Sequence, residues 1–254
     1  MRYTLGTDQT AALRLERLSS FFNPLSISFI KEYVTVPVQS ALDLGCGPGF
    51  TTAMLAEATT CPHVCGLDNS ARFVKAAQAR FKQYTFIKHD VTKFPFPVRG
   101  EIIYGRFLLT HLKNIAGLVN RWLEELNGNG MLLMEEVEDI ETDVEVFKRY
   151  VQITAGLIAS QGGFLYAGKL MADALYHAEV VCNEPVSIPV PGSEAGAWFY
   201  PNTVSVWKRD RYVIDRLSEN QRKAIAEEIL DIKEAGQTGK GVAWKLRRLV
   251  LKRV

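Results

Sequence analysis

The stretch Ala41-Leu42-Asp43-Leu44-Gly45-Cys46-Gly47-Pro48-Gly49 carries the plan of the fold, because an apolar run ends there in three glycines spaced two apart. The run reads as a buried strand, and the glycines mark the turn at which it gives way to a helix over residues 50–58. Alternating glycines let the backbone approach a ligand closely and take up torsions that a side chain would forbid. The helix that follows aims its amide-rich N-terminus at the same place. A loop of this kind, at the carboxyl end of a strand, is where open α/β sheets hold their ligands. Its spacing excludes two nucleotide sites. A dinucleotide fingerprint needs a sixth-place glycine where Phe50 stands, and no Gly-Lys-Ser/Thr follows to make a phosphate-cradling loop.

Working outward, His63-Val64-Cys65-Gly66-Leu67-Asp68-Asn69-Ser70 is a second short strand ending in an acid. Asp68 follows Gly49 at about the 20-residue distance that brings a carboxylate beside the ribose of a bound nucleoside. Two charge-assisted hydrogen bonds to vicinal hydroxyls would select that sugar. Asp68 could instead cap the helix expected over 71–81, a role that Ser70 fills equally well. A third strand, 84–91, ends in Asp90-Val91, and the turn Phe94-Pro95-Phe96-Pro97 comes next. The fourth strand, over 101–104, leads into Gly105-Arg106-Phe107-Leu108-Leu109-Thr110-His111-Leu112.

The pattern Asp43-x-Gly45-x-Gly47-x-Gly49, with acids ending the next two strands, resembles the class I S-adenosylmethionine (AdoMet)-dependent methyltransferases over residues 36–140. The likeness is closest to the small-molecule enzymes of the ubiquinone-biosynthesis type. It implies a Rossmann-like, doubly wound seven-stranded sheet, mostly parallel with an antiparallel last strand, carrying helical and aromatic cap inserts. By the same resemblance the cofactor is AdoMet and the product S-adenosylhomocysteine. Asp43, Gly45, Cys46 and Gly47 would hold the amino-acid end, Asp68 and Asn69 the ribose, and Asp90 and Val91 the adenine, with Arg106 near the methionine. Glu101 stands where Asp is usual in the family, and Thr110 where a second His is frequent. The Asn/Asp-Pro-Pro-Tyr/Phe tetrapeptide of amino-methylating nucleic-acid enzymes is absent.

Two residues are candidates for a proton acceptor. His111 has an unperturbed pKa near neutrality and lies on the loop expected to face the transferred methyl. Glu136 belongs to an acidic run, 135–139, at the end of a fifth strand expected over 131–137, and alternation points it to the same side as Glu138. The helix before that strand, 116–126, is expected to stop at the 127–130 turn. Either residue has a structural reading as well, His111 as a helix cap and Glu136 as part of a solvated face.

The flanking segments complete one methyltransferase domain over 1–254. The resemblance makes residues 1–35 a candidate helical lid, read as helices 8–22 and 25–34 parted by Asn23-Pro24, and the competing reading is a packing helix with Arg14 and Arg17 solvated. Residues 141–178 and 190–240 are substrate-cap inserts around a strand over 179–190. Helices are expected over 143–160, 168–178 and 217–235, the last capped by Ser218. The irregular connection 192–208 offers Trp198 and Tyr200 as substrate-binding aromatics. Residues 241–254 are the last strand. Their cluster of Lys245, Arg247, Arg248, Lys252 and Arg253 could instead be a basic arm for nucleic acid.

Charge weighs against that arm, since 30 basic and 28 acidic residues leave a net charge of only +2. No apolar run approaches the 18 or so residues of a membrane span, and the first residues lack the apolar centre of a secretory signal. Cys46, Cys61, Cys65 and Cys182 lack paired metal-site spacing and read as buried free thiols of a reduced cytoplasm, with no metal. The expectation is a cytoplasmic AdoMet-dependent methyltransferase that transfers a methyl to an O, N or C atom of a small-molecule acceptor by in-line displacement. The alternatives are an RNA methyltransferase and an AdoMet-binding protein without transfer activity. The acceptor and the oligomeric state are not encoded in any motif.

Overall fold

The computed structural model describes residues 4–236 and 241–253. Readings that fall on residues 1–3, on 237–240 at the end of the second insert, and on Val254 lie outside the described residues. The strands are β1 (Ser40–Leu44), β2 (His63–Asp68), β3 (Thr85–Lys88), β4 (Gly100–Arg106), β5 (Leu126–Glu141), β6 (Glu179–Val190) and β7 (Val242–Lys252). They form one seven-stranded sheet in the order β3-β2-β1-β4-β5-β7-β6. β1 to β5 pair in parallel, and β7 runs antiparallel to both β5 and β6. The expected Rossmann-like sheet with an antiparallel last strand is therefore present. Strand order reverses between β1 and β4, so the glycine loop leaves β1 at the point where the sheet opens a crevice.

Helices α1 (Gln9–Tyr33), α2 (Phe50–Thr59), α3 (Ala71–Arg80), α4 (Ile115–Glu124), α5 (Glu145–Ser160), α6 (Ala167–Ala172), α7 (Gly192–Ser205), α8 (Arg211–Ile214) and α9 (Glu219–Glu234) cover the sheet. Four of the five β1 residues are buried, as a central parallel strand covered on both faces requires. α3 starts at Ser70, whose Oγ accepts from the Phe73 amide, so Ser70 rather than Asp68 is its cap. α9 starts at Ser218 with a reciprocal capping box to Gln221, as expected for a helix that turns Glu227 and Glu228 to solvent.

Several boundaries differ from the sequence expectations. Residues 8–34 do not divide at Pro24, since α1 is one helix with Pro24 inside it. An interior proline costs about 3 kcal/mol. Phe22, Phe29 and Ile30 lie buried on both sides of it, each contributing about 1.5–3 kcal/mol. That burial keeps the two halves on one axis. Residues 192–205 form a helix instead of an irregular connection, because Trp198 and Phe199 are drawn into the core with Trp207. Tyr150 stacks between Phe199 and Trp207, at 4.2 and 5.4 Å between ring centroids. β5 begins at Leu126, so the 127–130 segment belongs to the strand and not to a helix-ending turn. α6 stops at Ala172, short of the helix expected to 178.

The basic tail is a strand, and Lys245, Arg247 and Arg248 on it are matched by acids. The acidic run of β5 lies beside it in register, with Glu135 opposite Arg248 and Glu136 opposite Arg247. Arg248 Nε donates to Glu135, Arg247 pairs with Glu138, and Lys245 with Glu141. The two charge runs are one cross-strand ladder. No free basic arm is formed by the described residues.

Candidate functional site

The glycine loop is held by its own fold. Gly45 and Cys46 amides donate to the Leu67 carbonyl at 2.8 and 3.1 Å, Gly49 donates to Cys46, and the Gly47 amide donates to Asp68 Oδ2 at 2.9 Å. These four amides are thus committed within the protein. The close approach remains. Gly45 has φ +69°, and a Cβ there would sit 2.7 Å from Leu108 Cδ1. Leu108 closes on the loop only because position 45 has no side chain.

Asp43 lies beneath the loop, 1% exposed. Its Oδ2 accepts from Thr51 and Thr52 hydroxyls at 2.6 and 2.7 Å, tying β1 to the first turn of α2. Its Oδ1 is buried and has no hydrogen-bond partner. Burial pushes the Asp43 carboxyl up to about 6, against the two hydroxyls and the Arg106 charge. An orphaned buried acceptor behind a glycine turn fits a ligand that brings a donor, as an ammonium group does. Asp68 ends β2 and uses both oxygens on backbone, Oδ2 on Gly47 and Oδ1 on the Ser70 amide at 2.7 Å. It stabilises the loop from the strand beside it. Asn69 follows, half-buried.

Asp90 lies two residues beyond β3 and accepts from the amide and the hydroxyl of Thr92. Those two bonds hold its carboxyl below the usual range, against the desolvation that opposes them. Val91 is buried against Phe96 and Leu108 and receives the Trp122 indole N–H on its carbonyl at 2.8 Å. It is part of the core that backs this strand end.

Two cavities meet at one side chain. The first, about 80 Å³, lies between α1 and the glycine loop and is lined by Arg14, Leu18, Cys46, Pro48, Arg106 and His111. The second, about 730 Å³, is lined by Asp90, Thr92, His111, Lys113, Gln161 and Tyr212 among others. His111 belongs to both. It closes a 3-10 turn, Leu109–His111, after β4. Burial, with the Arg14 charge second, pushes its imidazole down to about 4. The near-neutral pKa expected from sequence is therefore corrected, and His111 is neutral at physiological pH.

Arg106 is buried. It donates to Ser26 Oγ and Asn23 Oδ1 of α1 at 2.7 and 2.8 Å. Ser26 donates in turn to Glu135, which also accepts from Tyr104 and Arg248. This network fastens the second half of α1 to β4, β5 and β7. Glu136 lies on the other face of β5. Its Oε1 accepts from the Leu108 and Leu109 amides at 2.6 and 2.7 Å, and burial pushes its carboxyl up to about 8. Glu136 lines neither cavity. It positions the turn that ends in His111, which corrects its reading as a base.

Trp198 is 1% exposed, packed against Phe21, Phe22 and Trp244. Tyr200 is half-buried under the Lys233 ammonium. Neither lines the described cavities, so the aromatics of this segment are cap core where substrate contacts were expected. The four cysteines are buried free thiols, and no cluster of metal-ligating side chains is found among the described residues. Sequence reasoning missed Arg14. It was set among solvated arginines, yet Arg14, Leu18 and Phe22 are spaced by four on one buried helix face, a signal that was available. Thr51 and Thr52 were also missed, although hydroxyls just after the last loop glycine are placed to reach an acid on the preceding strand.

Residues 41–130 match a family model described as a methyltransferase domain. The trans-aconitate 2-methyltransferase of Enterobacter sp. (strain 638) is 29% identical over 119 residues, 47% of each chain. That of Methylobacterium radiotolerans is 29% identical over 138 residues, 53% of each. The chain thus matches about half the length of these curated relatives. Among solved structures, coclaurine N-methyltransferase bound to N-methylheliamine and SAH superposes with a TM-score of 0.57 at 17% identity, over 91% of this chain and 72% of that one. A methyltransferase-like protein from Bacillus halodurans gives 0.57 at 15% identity, over 90% and 99%. At these identities the likeness is one of fold, and the fold is that of the class I methyltransferases.

Proposed function

We propose that this chain, with the class I methyltransferase fold, is an AdoMet-dependent methyltransferase acting on a small-molecule acceptor and releasing S-adenosylhomocysteine. One observation carries the reading: an orphaned Asp43 oxygen lies behind a glycine loop at the switch point of the sheet, with acids following the next two strands. The match of residues 41–130 to a methyltransferase-domain model supports it, and so does the activity named for the relatives.

In this reading Asp43, Gly45, Cys46, Gly47 and Arg106 surround the amino-acid end of the cofactor. Asp68 and Asn69 lie toward the ribose, and Asp90 and Val91 toward the adenine. AdoMet supplies a methyl group already activated as a sulfonium. The chain's own part is to align the acceptor and to exclude water. α1 does the second by lying over the loop, as a lid. His111, in the wall of both cavities, is neutral and can take a proton where the acceptor has one to lose. The charge ladder of β5 and β7 takes up Lys245, Arg247 and Arg248, which weighs against a nucleic-acid substrate.

The test is incubation with methyl-labelled AdoMet and a metabolite extract, with and without added RNA. Label in a low-molecular-weight product is expected. Label in RNA would replace the small-molecule reading, and tight S-adenosylhomocysteine binding without transfer would leave only a cofactor-binding protein.

A further inference from the structure

Arg14 is the buried charge that the fold does not explain. It sits on α1 at 8% exposure, in the wall of the cavity beside the glycine loop. Its Nε is buried and has no hydrogen-bond partner, and no carboxylate lies within ion-pair distance of it among the described residues. The Asp8 carboxylate acts on it only through space, so the buried guanidinium has given up water without a bonded anion. Desolvation accordingly pulls its pKa down. The other arginine of the cavity is different, because Arg106 is hydrogen-bonded to Ser26 and Asn23.

The two arginines also act on different side chains. The Asp43 carboxyl, under the glycine loop, feels the charge of Arg106. His111 and Tyr150 feel that of Arg14. Tyr150 and Thr154 lie one turn apart on α5, and their hydroxyls interact with each other. Arg14 therefore acts on His111, with which it shares the wall of the smaller cavity. A planar fork of N–H donors matches a carboxylate in two parallel bonds.

We propose that Arg14 is the receptor for a carboxylate group of the methyl acceptor, so that the substrates of this site are small organic acids. The inference rests on the methyltransferase reading above and deepens it. Arg14 acts as a binding and orienting residue. It fixes one end of the acceptor beside His111, and the ion pair is formed only when α1 covers the site.

The same carboxylate chemistry could come from the amino-acid end of the cofactor, and the test separates the two sources. Wild-type protein and the variants Arg14→Gln and Arg14→Lys are first titrated with S-adenosylhomocysteine and with methylthioadenosine, which lacks the amino-acid part. Protein saturated with S-adenosylhomocysteine is then titrated calorimetrically with succinate, tricarballylate and trans-aconitate, each against its methyl ester. At least one acid is expected to bind the wild type ten-fold or more tightly than its ester. That preference should vanish in Arg14→Gln and persist in part in Arg14→Lys, with S-adenosylhomocysteine affinity unchanged.

An absent acid-over-ester preference in wild type, or an equal one in Arg14→Gln, overturns the proposal. A ten-fold loss of S-adenosylhomocysteine affinity in Arg14→Gln, with methylthioadenosine unaffected, assigns the carboxylate to the cofactor and overturns the acceptor assignment. Failure of wild type to bind S-adenosylhomocysteine at all would instead sink the methyltransferase reading. Circular dichroism of each variant keeps a folding defect from passing for a binding one.

Discussion

Glu136 and His111 show how burial redistributes the chemistry of a site. A carboxyl raised from its ordinary 4.5 to about 8 holds a proton in the folded chain that it would lose when unfolded. Its contribution to stability is therefore complete below about pH 4.5 and is lost as pH rises through 8, by at most about 1.4 kcal/mol per pH unit across that window. Glu136→Gln removes the titration while keeping an oxygen for the Leu108 and Leu109 amides. Its stability relative to wild type should improve steadily between pH 5 and pH 8 in urea denaturation, and a difference independent of pH would refute the buried-proton account. His111 has the opposite sign. Depressed to about 4, it favours the fold above pH 6.5 and loses that contribution as pH falls through 4. If His111 is the proton acceptor, kcat/KM should show no acid limb near pH 6.5 and should decline only toward pH 4. A limb at 6.5 would mean that the working imidazole is solvated or that another group is the base.

At the scale of elements, the joint between β5 and β7 carries most of the charge in the sheet. Glu135 is fully buried, and Arg248 is its one cationic partner in that network. Arg248→Ala strands a buried carboxylate, which costs about 3–5 kcal/mol. Arg248→Ala with Glu135→Gln should recover a large part of it. Chemical denaturation of the two single variants and the pair gives the coupling, and strict additivity would show the bond to be idle. This joint also marks what could be read from sequence. The strand over 242–252 and its antiparallel place were legible from its pattern and from the family likeness. The ladder was not, because the acidic and basic runs stand about a hundred residues apart and only strand order brings them together. α1 and α7 were misread for a related reason. Pro24 and the aromatic segment after Val190 carry local signals for a break and a loop, and burial of Phe22, Phe29 and Trp198 overrides both.

For the whole molecule, the placing of the glycine loop and the strand-end acids was legible because it is written in backbone. Three glycines, an acid before them and acids after the next two strands occupy fixed places relative to strand ends, and the sheet order delivers them to one crevice. The acceptor end was not. It is assembled from Arg14, His111 and the α5 side chains, which no fixed spacing relates. The proline within α1 has a consequence for timing. Beyond it, Ser26 and Leu25 are bolted to Glu135, Arg106 and Arg248, while the part before it lies over a cavity of about 80 Å³, well under the roughly 300 Å³ at which ligand pockets begin. In the proposed function the amino-acid end of the cofactor meets this small cavity, so the half of α1 before Pro24 is expected to give way when it binds while the other half keeps its place. Amide hydrogen exchange should then be faster in 9–22 than in 25–33 by ten-fold or more and should slow on addition of S-adenosylhomocysteine; uniform protection along α1 would show that the door is elsewhere.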